Sequence, residues 1–275
     1  MDGDAERVRS LTRQFGQNVA FVVNHSGGKD STRMLGLVRE NFTHCTTYGV
    51  IADTGFEHQR PVSAVDWARQ RCEELGVSLS VVRNPTRTYL EMVELRRMFP
   101  SAQFRQCTSD LKRGPIDKFI RALPERVIIN CIGIRAEESN PRSRLTSWKA
   151  NERLTTRRRS AYNWLPIFDQ SLKDVLDWHR VSKMPLHPIY VPEYHWDGTV
   201  GGYLRRLSCR LCIFSSDVDI LAIHQHDRDA FELVSSIEQK IGFSMRPGAT
   251  LVQIQANADA NKLVRSQQHS FCFDV

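Results

Sequence analysis

The hydrophobic pattern changes period between residues 19 and 38. Val19, Phe21, Val22 and Val23 form a short apolar, β-branched run suited to a buried strand, whereas Met34, Leu35, Leu37 and Val38 recur at helical spacing. The switch then repeats. A second strand is expected over 46–52, followed by a helix opened by Pro61, with Val62, Val65, Trp67, Ala68, Cys72 and Leu75 inward and Gly76 ending it. VSLSVVRN and TRTYLEMVELRRMF supply a third strand and helix, and PIDKFIRAL and RVIINCIGIR a further helix and strand. An opening helix over 6–18 and a helix capped by Ser171, with Val175, Leu176 and Trp178 inward, complete the alternation. Alternation of this kind predicts an α/β fold with a doubly wound, mostly parallel sheet, whose functional crevice lies at the carboxyl ends of the strands. From VDILAIHQHDRDAFELVSSIEQKIGF onward the pattern is helical, so an α/β unit over 1–205 and a cysteine-containing, mainly helical extension over 206–275 are expected.

The 275 residues, 41% hydrophobic, are ample for such a core. No stretch reaches the length of a membrane span and the charged N-terminus lacks a signal-like apolar core, which places the chain in the cytosol. Seven cysteines, an odd number, argue against a disulfide framework and leave metal binding or catalysis open. The formal charge of +7 is concentrated: residues 142–159 carry Arg142, Arg144, Lys149, Arg153, Arg157, Arg158 and Arg159 against Glu152 alone. Such a segment is either a solvated loop or, on the active-site side, a grip for a phosphate group or a nucleic-acid backbone.

The chemistry centres on Ser26-Gly27-Gly28-Lys29-Asp30-Ser31, between the first strand and its helix. Glycines admit an anion close to the backbone, the first N–H groups of a helix lack intrahelical partners, and Lys29 adds a cation with Ser26 and Ser31 as hydroxyl donors. The Walker spacing is absent. Asp53-Thr54-Gly55 ends the second strand, where a ribose or a phosphate-bound magnesium would lie. Lys112, before Pro115, and Arg135, after a strand, bring further cations to the crevice. Cys209 and Cys212 have the C-x2-C spacing that lets two thiolates converge on one metal or cluster.

SGGKDS, DTG at 53–55, CTSDLKRGPI at 107–116, GIRAEESNPRSR at 133–144, LPIFDQSLKDVLDWHRVSKMPLHPIY at 165–190 and CRLC at 209–212 stand in one order. Together they resemble the phosphoadenylyl-sulfate reductase family, which includes the sulfonucleotide reductases and the ATPases of DNA phosphorothioation. The resemblance covers roughly residues 20–215 and implies the Rossmann-like adenine nucleotide alpha hydrolase fold. The intact loop is similar to the pyrophosphate loop of ATP pyrophosphatases, implying ATP and Mg2+ as ligands and cleavage to AMP and pyrophosphate to adenylylate an acceptor. Residues 26–31, 53–55 and Arg135 would bind nucleotide, and Lys29, Asp30, Lys112 and Arg135 would act on it.

Cluster-binding members use an upstream cysteine pair and a downstream C-x2-C. Here Cys107 matches the first upstream cysteine and Thr108 replaces the second, leaving Cys107, Cys209 and Cys212 for a four-iron cluster with one open iron, or a site without metal. Zinc held by Cys209, Cys212 and His224 or His226 is a third reading. Cys272 lies near the reductases' nucleophile but without their Glu-Cys-Gly-x-His tail. Three functions follow: an adenylylating ATP pyrophosphatase serving sulfur transfer, with a phosphate-bearing acceptor and a sulfur-donor protein as partners; a sulfonucleotide reductase using Cys272; or a non-catalytic nucleotide-binding subunit of a nucleic-acid modification or defence assembly.

Overall fold

The computed structural model describes residues 2–199 and 202–270, with side chains described from 3 to 260. In chain order the elements are α1 (Asp2–Phe15), β1 (Val19–Asn24), α2 (Lys29–Asn41), β2 (Thr46–Asp53), α3 (Ala64–Glu74), β3 (Leu79–Arg83), α4 (Tyr89–Arg96), α5 (Gly114–Ala122) and β4 (Val127–Cys131). There follow α6 (Asn140–Ser143), β5 (Trp148–Ala150), β6 (Ser160–Trp164), α7 (Leu172–Val181), α8 (Asp217–His226), α9 (Arg228–Ile241) and α10 (Leu251–Ser270).

Six strands form one sheet in the order β3-β2-β1-β4-β6-β5, parallel except for the antiparallel edge strand β5. The expected α/β architecture is therefore what the chain adopts. β1 is central and buried through Val23, as its uninterrupted apolar run requires of a strand covered on both faces. The chain winds outward through β2 and β3, then returns to place β4 on the other side of β1. That reversal opens a crevice between the carboxyl ends of β1 and β4, the position where doubly wound sheets bind ligands.

Two apolar layers sandwich the sheet. Phe21, Met34, Leu35, Phe42, Cys72 and Trp164 belong to one, and Ala20, Val22, Ile120 and Ile128 to the other. A third core at the carboxyl end joins Phe56, Tyr89 and Leu111 to Ile220 and Ile223 of α8, Val234 of α9 and Leu251 of α10. Leu233 of α9 is exposed. No helix among the described residues is long and apolar enough to cross a membrane.

One local expectation is corrected and one open alternative is narrowed. The helix expected from Pro61 begins at Ala64, because Ser63 caps it by accepting the Asp66 N–H. The cationic segment 142–159 is not one patch facing the crevice. β5 runs antiparallel, from the carboxyl edge beside Trp164 back toward the amino end, so residues 153–159 lie at the far end of the sheet. There Arg159 donates to the carbonyls of Ile120, Leu123 and Glu125, and Arg153 pairs with Asp117 at 2.8 Å. Trp148 stacks on Tyr162, centroids 4.9 Å apart, and is no free stacking platform.

Candidate active site

The loop after β1 is held by groups distant in sequence. Gly27 adopts φ +77, and a Cβ there would meet the Ala64 carbonyl oxygen at 2.6 Å, so only glycine fits. The Gly27 N–H donates to His25 Nδ1 at 3.0 Å, and His25 Nε2 lies 3.3 Å from Thr32 Oγ1, which donates to the Gly28 carbonyl. This chain needs a neutral His25, and burial, followed by Arg71 and His179, lowers its pKa to about 3. Ser31 Oγ accepts the Ser26 N–H and donates to the Gly28 carbonyl, closing the turn. The N–H groups of Gly28, Asp30 and Ser31 have no acceptor among the described residues, so three donors at the start of α2 face the crevice.

Around them the charges form a line. Lys29 Nζ lies 2.9 Å from Asp30, whose other oxygen accepts from Arg135 Nε at 2.7 Å; Arg135 also pairs with Glu137. The line spans the switch point, since Lys29 and Asp30 follow β1 and Arg135 follows β4. Burial works against the Lys29 charge, but Tyr190 and Asp30 outweigh it and raise the pKa. Burial likewise opposes the Asp30 carboxylate, and Lys29 and Arg135 hold its pKa below the usual value. The line is thus charged throughout at neutral pH. Asp30 is thus the shared partner of two buried cations.

Residues outside the sequence-derived set complete the site. Tyr190 accepts the Lys29 N–H at 3.1 Å and its ring lies 5.2 Å from Lys29 Nζ; Tyr194 lies 5.9 Å away. The segment HPIY therefore contributes a wall of the site. His179 of α7 sets Nε2 against the Lys29 carbonyl at 2.9 Å and Nδ1 against the Met184 carbonyl at 2.8 Å. These partners lie roughly 150 residues from the loop in sequence, so no spacing signal marks them.

Asp53 uses one oxygen on the Gly55 N–H at 2.8 Å and the other on Arg83 at 2.7 Å, shaping the turn after β2. Thr54 donates to Glu57. Glu57 bridges backbone-to-backbone with Cys209, which draws the C-x2-C loop onto this turn. Lys112, from the wide π-helical turn Cys107–Arg113, reaches Cys209 Sγ at 3.4 Å and Glu57 at 3.8 Å. Lys112 thus faces the cysteines, whereas Lys29 and Arg135 face the loop.

Cys107, Cys209 and Cys212 share one electrostatic neighbourhood. Burial pushes the Cys209 thiol up to about 12 against the pull of Lys112. Among the described residues no three His, Cys, Asp or Glu side chains form a ready cage for a metal ion. His226 stacks on Tyr203 and His224 packs against Phe231, so the zinc alternative gains no third ligand from them. The Tyr89 hydroxyl, buried and without a hydrogen-bond partner, lies in the same electrostatic neighbourhood as the three thiols. All six described cysteines are free thiols, and Cys272 lies outside the described residues.

An uncharacterized 37.8 kDa protein of Escherichia phage 186 is 23% identical over 281 residues, covering 86% of this chain and 80% of that one. Among solved structures, the U34-tRNA thiolase NcsA from Methanococcus maripaludis with its [4Fe-4S] cluster matches 86% of this chain and 79% of its own, at 15% identity and TM-score 0.45. An NH3-dependent NAD synthetase from Campylobacter jejuni in complex with nitrate matches 92% and 90%, at 11% identity and TM-score 0.39. The model of the phosphoadenosine phosphosulfate reductase domain matches residues 20–206, from β1 through the loop, the switch-point arginine and the Tyr190 wall. With more than half of its length matched, the chain belongs to the phosphoadenosine phosphosulfate reductase domain family.

Proposed function

We propose that the chain is an adenylylating ATP pyrophosphatase that activates a phosphate-bearing acceptor for sulfur transfer. The observation that carries this reading is the intact loop at the switch point, where three free N–H groups and the Lys29–Asp30–Arg135 line converge. The β- and γ-phosphates of ATP would sit on the N–H groups of Gly28, Asp30 and Ser31, with Lys29 and Arg135 taking phosphate oxygens in place of Asp30. Asp53-Thr54-Gly55 would face the ribose side. Mg2+ would arrive with the phosphates, since it commonly keeps waters and substrate oxygens instead of filling an all-protein cage. An acceptor oxygen then attacks the α-phosphorus, the bond to the β-phosphate breaks, and pyrophosphate leaves with its growing charge held by the loop.

Cys107, Cys209 and Cys212 would hold a four-iron cluster through three thiolates, with Lys112 as a cation beside Cys209. When bound, the cluster supplies an open iron at which sulfur can be presented. Arg144 and Lys149, exposed and without an acidic partner among the described residues, are the cations of the basic segment nearest the carboxyl edge and would meet a nucleic-acid acceptor.

The test is product analysis with α-labelled ATP, Mg2+ and anaerobically purified protein, with cell extract as the source of acceptor. AMP and pyrophosphate, lost in Lys29→Ala and Asp30→Ala, are expected. ADP as the sole product, or no turnover while an adenylyl sulfate is reduced to sulfite, would overturn the reading in favour of the alternatives.

A further inference from the structure

Residues 204–212 read LRRLSCRLC, and their leucines decide which way the arginines point. Leu204, Leu207 and Leu211 are buried, which leaves Arg205 and Arg206 exposed. Leu207 seats the segment on the loop after β1, since a Cβ on Gly27 would stand 3.3 Å from its side chain. Arg205 lies 5.9 Å from the Tyr194 ring, the same ring that stands 5.9 Å from Lys29 Nζ, and pairs with Glu193 at 3.5 Å. Arg206 and Phe214 line one recess, and Arg206 has no acidic partner among the described residues. Phe214 is 46% exposed and carries the exposed Arg105 over its ring at 5.6 Å. The acid in the recess wall, Asp219, is already engaged as the acceptor of the Ser216 N–H at the start of α8.

An exposed ring with a planar cation over it, beside a second cation free of acids, matches the chemistry of a nucleotide: a flat base and a phosphate. Base faces are open for such stacking in a single strand and hidden in a duplex. We infer that the rim formed by Arg105, Arg206 and Phe214 holds single-stranded nucleic acid. An unpaired base stacks at Phe214 and Arg105, and the adjoining phosphate meets Arg206. Arg205 and Tyr194 then lead from this rim to Lys29. This names the class of acceptor for the reading above and rests on that reading.

The test is fluorescence anisotropy of a short labelled single strand of mixed sequence with the full chain, using unlabelled strand, matching duplex and inorganic polyphosphate as competitors. Unlabelled strand should compete best. Phe214→Ala should weaken binding by about fivefold or more, and Phe214→Trp, which keeps a ring, should restore it. Arg206→Gln should weaken binding and make the slope of log affinity against log salt shallower by about 0.7. Both side chains are exposed, so the variants should keep the urea midpoint of the parent. A Phe214→Ala chain that binds as the parent does, polyphosphate or duplex competing as well as the strand, or a parent that binds no strand would each overturn the inference. Release of AMP from ATP by a parent that binds no strand would leave the pyrophosphatase reading standing, whereas strand binding without AMP release would count against that reading and leave the rim.

Discussion

At the scale of single residues, the site depends on side chains that fix the loop before any nucleotide arrives. Gly27 is held at φ +77 against the Ala64 carbonyl, so Gly27→Ala should cost about 1–2 kcal/mol in backbone strain, with the contact adding to it. The urea midpoint checks this; an unchanged midpoint would mean that the turn is looser than described. Tyr190→Phe leaves the buried Lys29 N–H without its acceptor and should lower stability by about 1–3 kcal/mol, measured in the same way. The loop itself was legible in sequence because its six residues are contiguous and their chemistry is local. His25, His179 and Tyr190 were not, because each acquires its role from partners that only the folded chain brings near.

Between elements, the contact of α2 with α7 sets the geometry of the loop. Trp178 of α7 lies so close to Gly36 that a Cβ there would stand 2.2 Å from its ring, while its Nε1–H donates to Glu40 and Arg33 lies over its face at 5.0 Å. The neighbouring His179 then reaches the Lys29 carbonyl. Gly36→Ala should therefore overpack the contact at about 1–3 kcal/mol and weaken nucleotide binding through His179, although residue 36 touches no part of the crevice. Urea titration and ATP binding on the same variant check both halves. The strand–helix alternation announced these elements, since period and capping are local properties. Pro61 misled as a helix start because a proline marks a turn as readily as a first helical position, and only the Ser63 bond to Asp66 decides between them. The two readings of the cationic segment stayed open for another reason: the direction of β5 is a property of sheet pairing, and it carries residues 153–159 away from the crevice.

Across the whole molecule, buried histidines couple folding to pH. Burial, as the largest cause, lowers the pKa of His25 to about 3 and of His58 and His187 to about 4, from 6.5. Below pH 6.5 the unfolded chain therefore binds protons that the folded chain refuses. Stability is full above that pH and falls as pH drops toward 4, by up to about 1.4 kcal/mol per pH unit for each histidine. Urea midpoints at pH 7.5 and pH 5 should differ strongly; equal midpoints would show that these rings are open to water. The doubly wound topology places the loop, Asp53 and Arg135 along one edge of the sheet, and that part of the arrangement was foreseeable from the order of strands and helices alone. Residues 26–31 are proposed to grip the pyrophosphate end of ATP. The most direct measurement is equilibrium displacement of a labelled ATP analogue, with Mg2+, by pyrophosphate and by AMP, on the parent and on Lys29→Ala. Displacement by pyrophosphate at lower concentration than by AMP, with affinity for the analogue falling tenfold or more in Lys29→Ala, is the expected result; displacement by AMP alone, or a Lys29→Ala chain that binds as the parent does, would contradict it.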